Sequence, residues 1–188
     1  QPGFQVPGSL KYDKQQSRAR INSTYNISDS DILIGYVGRL ILWKHVEDIL
    51  YALSSIVTLN SVDNIHLLIV GTGDSEYVEK ITSIINSENL TKYVTMTGFI
   101  DNPSFVLSSL DLLIASSHNE PFGRVLVESM LQKTLVLSSR SGAHTEIISH
   151  GINGFLYDEG SSESMYKSIL NIILGDINKK KIVEDAYL

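Results

Sequence analysis

A chain of 188 residues, 43% hydrophobic and 19% charged, is long enough to bury one self-sufficient core and has globular proportions. Its formal charge of -6 excludes a broad basic surface and with it general nucleic-acid binding, so any phosphate recognition must be local. The absence of cysteine excludes disulfides, cysteine-ligated metal and thiol catalysis, a usage compatible with the cytosol; no apolar run reaches bilayer-spanning length, and the polar start QPGFQVPGSLKYDK does not read as a signal peptide.

Residues 1–30 open with Pro2, Gly3, Pro7 and Gly8 and continue through Lys11, Lys14, Arg18 and Arg20, a pattern that predicts a linker followed by a short helix. Over residues 31–175, apolar runs of strand length at 32–37, 65–70, 93–97, 111–115, 134–138 and 154–157 alternate with segments of helical spacing. Val46, Ile49, Leu50, Leu53, Ile56 and Val57 form one stripe and predict a helix over 45–59; Met165, Ile169, Ile172 and Ile173 predict another over 162–174. Strands that are apolar throughout and separated by helices imply an α/β fold, a Rossmann-like, doubly wound parallel sheet of about six strands. Such sheets bind ligands where strand carboxyl ends pass into helices. Residues 176–188, with Lys179, Lys180 and Lys181, read as a solvated C-terminal tail.

The first such turn runs from Gly38 through Arg39 to Lys44. A cation beside a helix N-terminus opposes the helix dipole unless an anion compensates; Glu47 and Asp48 are the nearest carboxylates, and a ligand diphosphate is the alternative. The second, Gly71-Thr72-Gly73-Asp74, begins like a dinucleotide fingerprint, but Glu76 occupies the third glycine position and the NAD reading fails. The third, Gly98-Phe99-Ile100-Asp101, leads through Asn102 and Pro103 into a short helix; by composition alone Phe99 and Ile100 belong in the core. In the fourth, His118 to Lys133, Asn119 and Pro121 suit a cap and a first helical position, which predicts a helix from Pro121 with Phe122, Gly123 and Arg124 in its first turn. Unpaired N–H groups there would seat an anion. Phe122, Leu126 and Met130 form one apolar line, Val127 and Leu131 another, and Arg124, Glu128 and Gln132 the polar one. Glu128 reads plainly as a solvated carboxylate paired with Arg124, which leaves Glu120 unexplained, and His118 reads as a surface histidine without acid or base work. The fifth turn is Ser141 to Glu146, and Gly151 to Leu156 closes the domain.

Glu120-Pro121-Phe122-Gly123 followed by Glu128-Ser129-Met130 resembles the E-x7-E signature of the group 1 retaining nucleotide-sugar glycosyltransferases. Similarity to the C-terminal, donor-binding domain of that family's two-domain glycosyltransferase B fold runs from about Ile34 to Leu174. The resemblance implies that Glu120 holds hydroxyls of the donor sugar, that Phe122 and Gly123 offer backbone N–H groups to sugar and phosphate, and that Glu128 holds the ribose. Gly38 to Lys44 resembles the G-R-x4-K-G element, with His45 where glycine is usual, so that Arg39 and Lys44 bind the diphosphate and stabilise it as leaving group. Gly71 and Gly73 would line the donor pocket, and the turn at Gly98 would meet the nucleobase through Phe99 and Ile100. Gly142 and Glu146 match the glycine-pair turn, Ala143 departs from it, and Lys133-Thr134-Leu135 lacks the usual glycine and proline. The expected catalytic groups are therefore Arg39, Lys44 and Glu120. Gly38, Gly71, Gly73, Gly98, Phe99, Ile100, Phe122, Gly123, Arg124 and Glu128 are the expected substrate contacts.

The implied protein is a retaining, hexosyltransferase-type enzyme of glycan or cell-surface polysaccharide synthesis. Its partners are a nucleotide-diphosphate sugar and an N-terminal acceptor-binding domain joined through residues 1–30. No cofactor and no metal are expected, since no carboxylate-rich cluster is evident and fixed cations can do a divalent ion's neutralising. The expected location is cytoplasmic, any membrane association running through that N-terminal domain, because no transmembrane segment is found here. The alternatives are a non-catalytic nucleotide-sugar-binding subunit and a sugar-nucleotide epimerase or phosphorylase of the same architecture.

Overall fold

The computed structural model describes residues 12–59 and 61–187; the linker expected in residues 1–11 lies outside them. Six strands, β1 (Ile32–Val37), β2 (Ile65–Val70), β3 (Val94–Gly98), β4 (Leu112–Ala115), β5 (Leu135–Ser139) and β6 (Phe155–Tyr157), form one sheet in the order β3-β2-β1-β4-β5-β6. Every pairing is parallel, and each strand lies within one residue of its expected bounds. Among the described residues the helices are α1 (Lys14–Tyr25), α2 (Val46–Thr58), α3 (Ser75–Ser87), α4 (Ser104–Ser109), α5 (Arg124–Leu131), α6 (His144–Ile147), α7 (Ser162–Leu174) and α8 (Lys179–Tyr187).

The strands are apolar throughout because both faces are covered. Ile34 and Tyr36 of β1 and Leu67 and Ile69 of β2 enter a core built with α2, α3 and α7. Their neighbours Leu33, Leu68 and Val70 enter a second core built with α1, α4 and α5. This is the period-two alternation of a pleated strand, with apolar residues on both sides. Full burial of each such aliphatic side chain is worth about 1.5–3 kcal/mol relative to exposure. Gly35 has no side chain because an added Cβ would sit 2.4 Å from the Leu110 side chain, which packs at that point over the sheet.

α1 is held by polar contacts as much as by Ile21. Its cap Asp13 accepts the Gln16 N–H at 2.8 Å, Ser108 donates to the Ser17 hydroxyl at 2.8 Å, and Arg18 pairs with Asp111 at 2.8 Å. Burial pushes the Asp111 carboxyl up, but Arg18, Lys14 and the Leu33 N–H together hold it below the usual carboxylate range. The expected tail holds the helix α8, whose three lysines are exposed as expected but whose apolar side is docked. It places Ile182 against the first core and Ala186 against the second, because its apolar positions recur at helical spacing between the lysines. No helix among the described residues is long and apolar enough to cross a membrane.

The strand order reverses direction between β1 and β4. At such a switch point the loops leaving two neighbouring strands diverge to opposite faces and leave a crevice at their carboxyl ends.

Candidate functional site

The loops after β1 and β4 flank that crevice, and they meet. Past Gly38 the first loop tightens into a 3-10 turn, Leu42–Lys44, and reaches α2 through His45, which adopts a left-handed conformation (φ 48). The Ser116 hydroxyl donates to Lys44 O at 2.6 Å and the His118 N–H to Trp43 O at 3.0 Å. These tethers bring Lys44 Nζ to 2.6 Å from Glu120 Oε2, with the two side chains only 17% and 11% exposed. The partner that compensates Lys44 is thus Glu120, 76 residues away, and not the neighbouring Glu47 or Asp48. Glu47 is committed elsewhere, accepting from Tyr77 and from Lys80 Nζ at 2.7 Å.

Glu120 is fixed from three sides. Oε1 accepts the Gly123 N–H at 3.3 Å, its backbone carbonyl accepts the Ala143 N–H at 2.8 Å, and the preceding Asn119 N–H donates to the Ser141 hydroxyl at 2.8 Å. Gly142 is glycine because a Cβ there would stand 2.4 Å from the Glu120 carbonyl oxygen. The turn at Gly142 therefore backs the acidic loop directly, a role the sequence reading did not attach to it. Burial pushes the Glu120 carboxyl up; the Lys44 hydrogen bond and charge, then the Gly123 N–H, outweigh it and hold the group ionised below its usual range.

The helix expected from Pro121 begins at Arg124, with Gly123 as its left-handed cap (φ 60). The cause is tertiary. A Cβ on Gly123 would lie 2.6 Å from Ile147 Cδ1 and 3.4 Å from His144 Cδ2, so α6 presses on the chain there and turns it. Two expectations change with it. The Gly123 N–H is spent on Glu120, which moves the open anion-binding amides to the first turn of α5, Arg124 onward. Phe122 precedes the helix and is 74% exposed, while Leu126 and Met130 alone carry that apolar line into the core; Val127 is exposed too. Arg124 and Glu128 form the surface pair anticipated for them, 3.4 Å apart one turn along, with 39% of the Glu128 side chain exposed. Such a pair is worth about 0.3–0.5 kcal/mol and leaves the carboxylate available.

On the other flank three glycine-led turns stack edge to edge. Gly38 N–H donates to Val70 O at 3.0 Å, Gly71 N–H to Gly98 O at 2.9 Å, and Leu40 N–H to Thr72 O at 3.0 Å. A Cβ at Gly71 or Gly73 would lie 1.9 Å from Gly38 O or 1.8 Å from Leu40 O, so these glycines serve the close approach of loop to loop. Between the turns lies a cavity of about 260 Å³ lined by Gly38, Arg39, Gly71, Thr72, Phe99 and Ile100, with Val37, Val70, Asp101 and Pro103 completing it. Phe99 is 72% exposed and so is not a core residue; Ile100 is partly buried against the second core. Arg39 is exposed at the rim, and Tyr36 donates to its carbonyl at 2.7 Å from below.

The sequence model described as "Glycosyl transferases group 1" matches residues 17–188. The chain belongs to this family. Among relatives, the N-acetyl-alpha-D-glucosaminyl L-malate synthase of Bacillus anthracis is 28% identical over 159 residues, 85% of this chain and 40% of that protein. The capsular polysaccharide biosynthesis glycosyltransferase CapM of Staphylococcus aureus is 20% identical over 174 residues, 91% of this chain and 45% of that protein. The chain thus spans less than half the length of these relatives. Anabaena HepE, solved in complex with UDP-glucose, superposes with a TM-score of 0.85 at 26% identity, covering 95% of this chain and 48% of that one. In fold, the C-terminal domain of the group 1 protein LpcC from Francisella tularensis matches with a TM-score of 0.78 at 24% identity, covering 93% of this chain and 89% of that chain.

In this glycosyl transferases group 1 domain the structure gathers Lys44, Glu120 and Gly123 in one cluster and Gly38, Arg39, Gly71, Phe99 and Ile100 around one cavity, with Gly73 behind them and Arg124 and Glu128 on the exposed side of α5. Sequence reasoning missed His144. It is buried beneath Gly123, its Nδ1 lies 3.1 Å from Ser139 Oγ, and burial pushes its imidazole toward the neutral form. Because the Ser139 hydroxyl donates to Ser117 O at 2.5 Å, it must accept from His144, which places the neutral ring's proton on Nδ1. Also missed were His45, Asp48 and His118, whose side chains converge beside the Lys44 loop. Only the i, i+3 spacing of the first two could have signalled it.

Proposed function

We propose that this chain is the donor-binding domain of a retaining glycosyltransferase that moves a hexosyl group from a nucleotide-diphosphate sugar to an acceptor in glycan or cell-surface polysaccharide synthesis. The observation that carries this reading is the Lys44–Glu120 pair at the β1/β4 switch point, between the Phe99 cavity and the N-terminus of α5. A nucleobase would occupy the cavity, whose lining offers an aromatic ring and backbone groups. A diphosphate running from there meets Arg39, then Lys44, then the amides opening α5, three positive features in succession. The donor sugar would come to Glu120, a fixed ionised acceptor for its hydroxyls, and Glu128 would reach the ribose by releasing Arg124.

Negative charge grows on the departing diphosphate as the glycosidic bond breaks. Fixed donors already aimed at that position stabilise it without reorganising, which is the largest kind of catalytic contribution a site of this type makes. Lys44, held in place by Glu120, and Arg39 at the rim would supply that charge here, and with it the transfer would need no divalent ion and no organic cofactor. The acceptor pocket belongs to an N-terminal domain facing the crevice. HepE with bound UDP-glucose and CapM in capsule synthesis support the donor class and the biosynthetic setting.

Calorimetry with nucleoside diphosphates and with the corresponding sugar-bearing donors tests the assignment. Glu128→Ala should weaken both ligand classes, whereas Glu120→Ala should weaken mainly the sugar-bearing donor. Equal losses for both classes in the Glu120 variant would contradict this division of roles.

A further inference from the structure

Beside the Lys44–Glu120 pair stand three side chains that donor chemistry leaves unused. His45 caps α2 and Asp48 follows three residues later, so both project from one turn of the helix. His118 arrives from the loop after β4. One nitrogen of each histidine and one oxygen of Asp48 all lie within 4.8 Å of one another. Two of these atoms are orphans. Asp48 Oδ2 and His118 Nε2 are buried without a hydrogen-bond partner among the described residues, although they face each other at 3.8 Å. Buried polar atoms are rarely left so, because each forfeits its hydration. At 3.8 Å they are too far apart for a hydrogen bond. In a tetrahedral site, with each ligand atom about 2.0–2.1 Å from the zinc ion, neighbouring ligand atoms stand about 3.3–3.4 Å apart, so a small inward turn of either side chain would seat both on one ion.

We propose that His45, Asp48 and His118 form a binding site for a divalent transition-metal ion of the Zn2+ class. Two imidazoles and one carboxylate suit a borderline ion and not Mg2+ or Ca2+, which take oxygen ligands; three protein ligands leave a position for water. Glu159 Oε1, which accepts the Ser141 hydroxyl at 2.7 Å, lies 3.7 Å from the other nitrogen of His118, beyond hydrogen-bond distance but near enough to act on that ring through its charge. The two imidazoles are stacked, with centroids 3.5 Å apart and planes 13° from parallel. A ring nitrogen's lone pair lies in the ring plane, so binding one ion takes the pair out of this stack by rotation of one side chain. The chain's other histidines are engaged: His66 with Thr95, His144 with Ser139, and His150 accepting the Leu156 N–H. An ion held here would bridge the loop that carries Lys44 to the loop that carries Glu120.

The test is titration of the untagged chain with ZnCl2 against a chromophoric chelator. One equivalent should bind, and His45→Gly, Asp48→Asn and His118→Gln should each weaken binding by at least about tenfold, the loss that even an outer-shell change brings. His45→Gly is the decisive variant. Residue 45 is in the left-handed region, which glycine adopts freely, so the backbone is relieved and any loss of zinc is loss of a ligand. Imidazole NMR signals of His45 and His118 should shift on addition of zinc while those of His66, His144 and His150 stay. Absence of stoichiometric binding, or wild-type affinity in His45→Gly, overturns the site. The readout involves no nucleotide, so its failure leaves the donor-site reading untouched.

Discussion

Replacing Lys44 by methionine removes the ammonium and keeps most of the side-chain volume. It leaves the Glu120 carboxylate, 11% exposed, with the Gly123 N–H at 3.3 Å and the Ser117 hydroxyl as its remaining donors. A hydrogen bond to a charged group is worth about 1.5–3 kcal/mol, and breaking a fully buried pair costs about 3–5 kcal/mol. Side-chain exposures of 17% and 11% place this pair between those cases, at about 2–3 kcal/mol. For a domain of this size that lowers Tm by roughly 4–12 °C. The companion variant Lys44→Met/Glu120→Gln strands no charge and should recover about 1–2 kcal/mol of the loss. The pH dependence has a definite sign. The folded-state pKa of Glu120 is depressed below 4.5, so the stability it contributes is fully present above its unfolded value and lost as pH falls through the folded one. The gap in Tm between wild type and Lys44→Met should therefore be widest near neutral pH and should close as the solution is acidified below the ordinary carboxylate range. Thermal unfolding of the three proteins at neutral and acidic pH measures all of this. Equal Tm for wild type and Lys44→Met at neutral pH, or a double variant no more stable than the single one, would refute the reasoning.

Gly73→Ala would drive a Cβ to 1.8 Å from Leu40 O, breaking the bridge between the first two turns; a loss of about 1–3 kcal/mol in urea unfolding is expected, and unchanged stability would mean the two turns are not held in apposition. Tyr77→Phe deletes the donor to buried Glu47 and the acceptor of the Val46 N–H at 2.8 Å, which should cost about 1–3 kcal/mol by denaturant titration. The same change should raise the Glu47 carboxyl toward its ordinary range, since burial already pushes it up and Lys80 and Tyr77 oppose that push; an NMR titration reads this directly. Arg39 is exposed and makes no ion pair among the described residues, so Arg39→Ala should change stability by no more than about 0.5 kcal/mol. It should nonetheless weaken nucleoside diphosphate binding, more at low than at high salt, while sparing the nucleoside. Equal losses for the nucleoside and its diphosphate would remove Arg39 from the phosphate path.

Strands and most helices were legible along the chain because their signals are local: short runs such as IHLLIV are apolar at every position only when both faces of a sheet are covered, and the stripe from Val46 to Val57 repeats at helical spacing. Glycines at the loop crossings were legible as turns, but their purpose was not, since Gly71 and Gly142 yield to carbonyls of distant loops. The start of α5 went the same way: Asn119 and Pro121 are sound local helix-start residues, and Ile147 and His144 of α6 overruled them at Gly123. Phe122 and Phe99 carry nothing in their neighbours that separates a buried ring from one standing at a crevice. Lys44 had two acids within four residues and pairs with neither, because the order of strands brings Glu120 beneath it. Periodicity reports which way a side chain faces on its own element; which charges meet depends on how the sheet is threaded, and only the folded chain settles that.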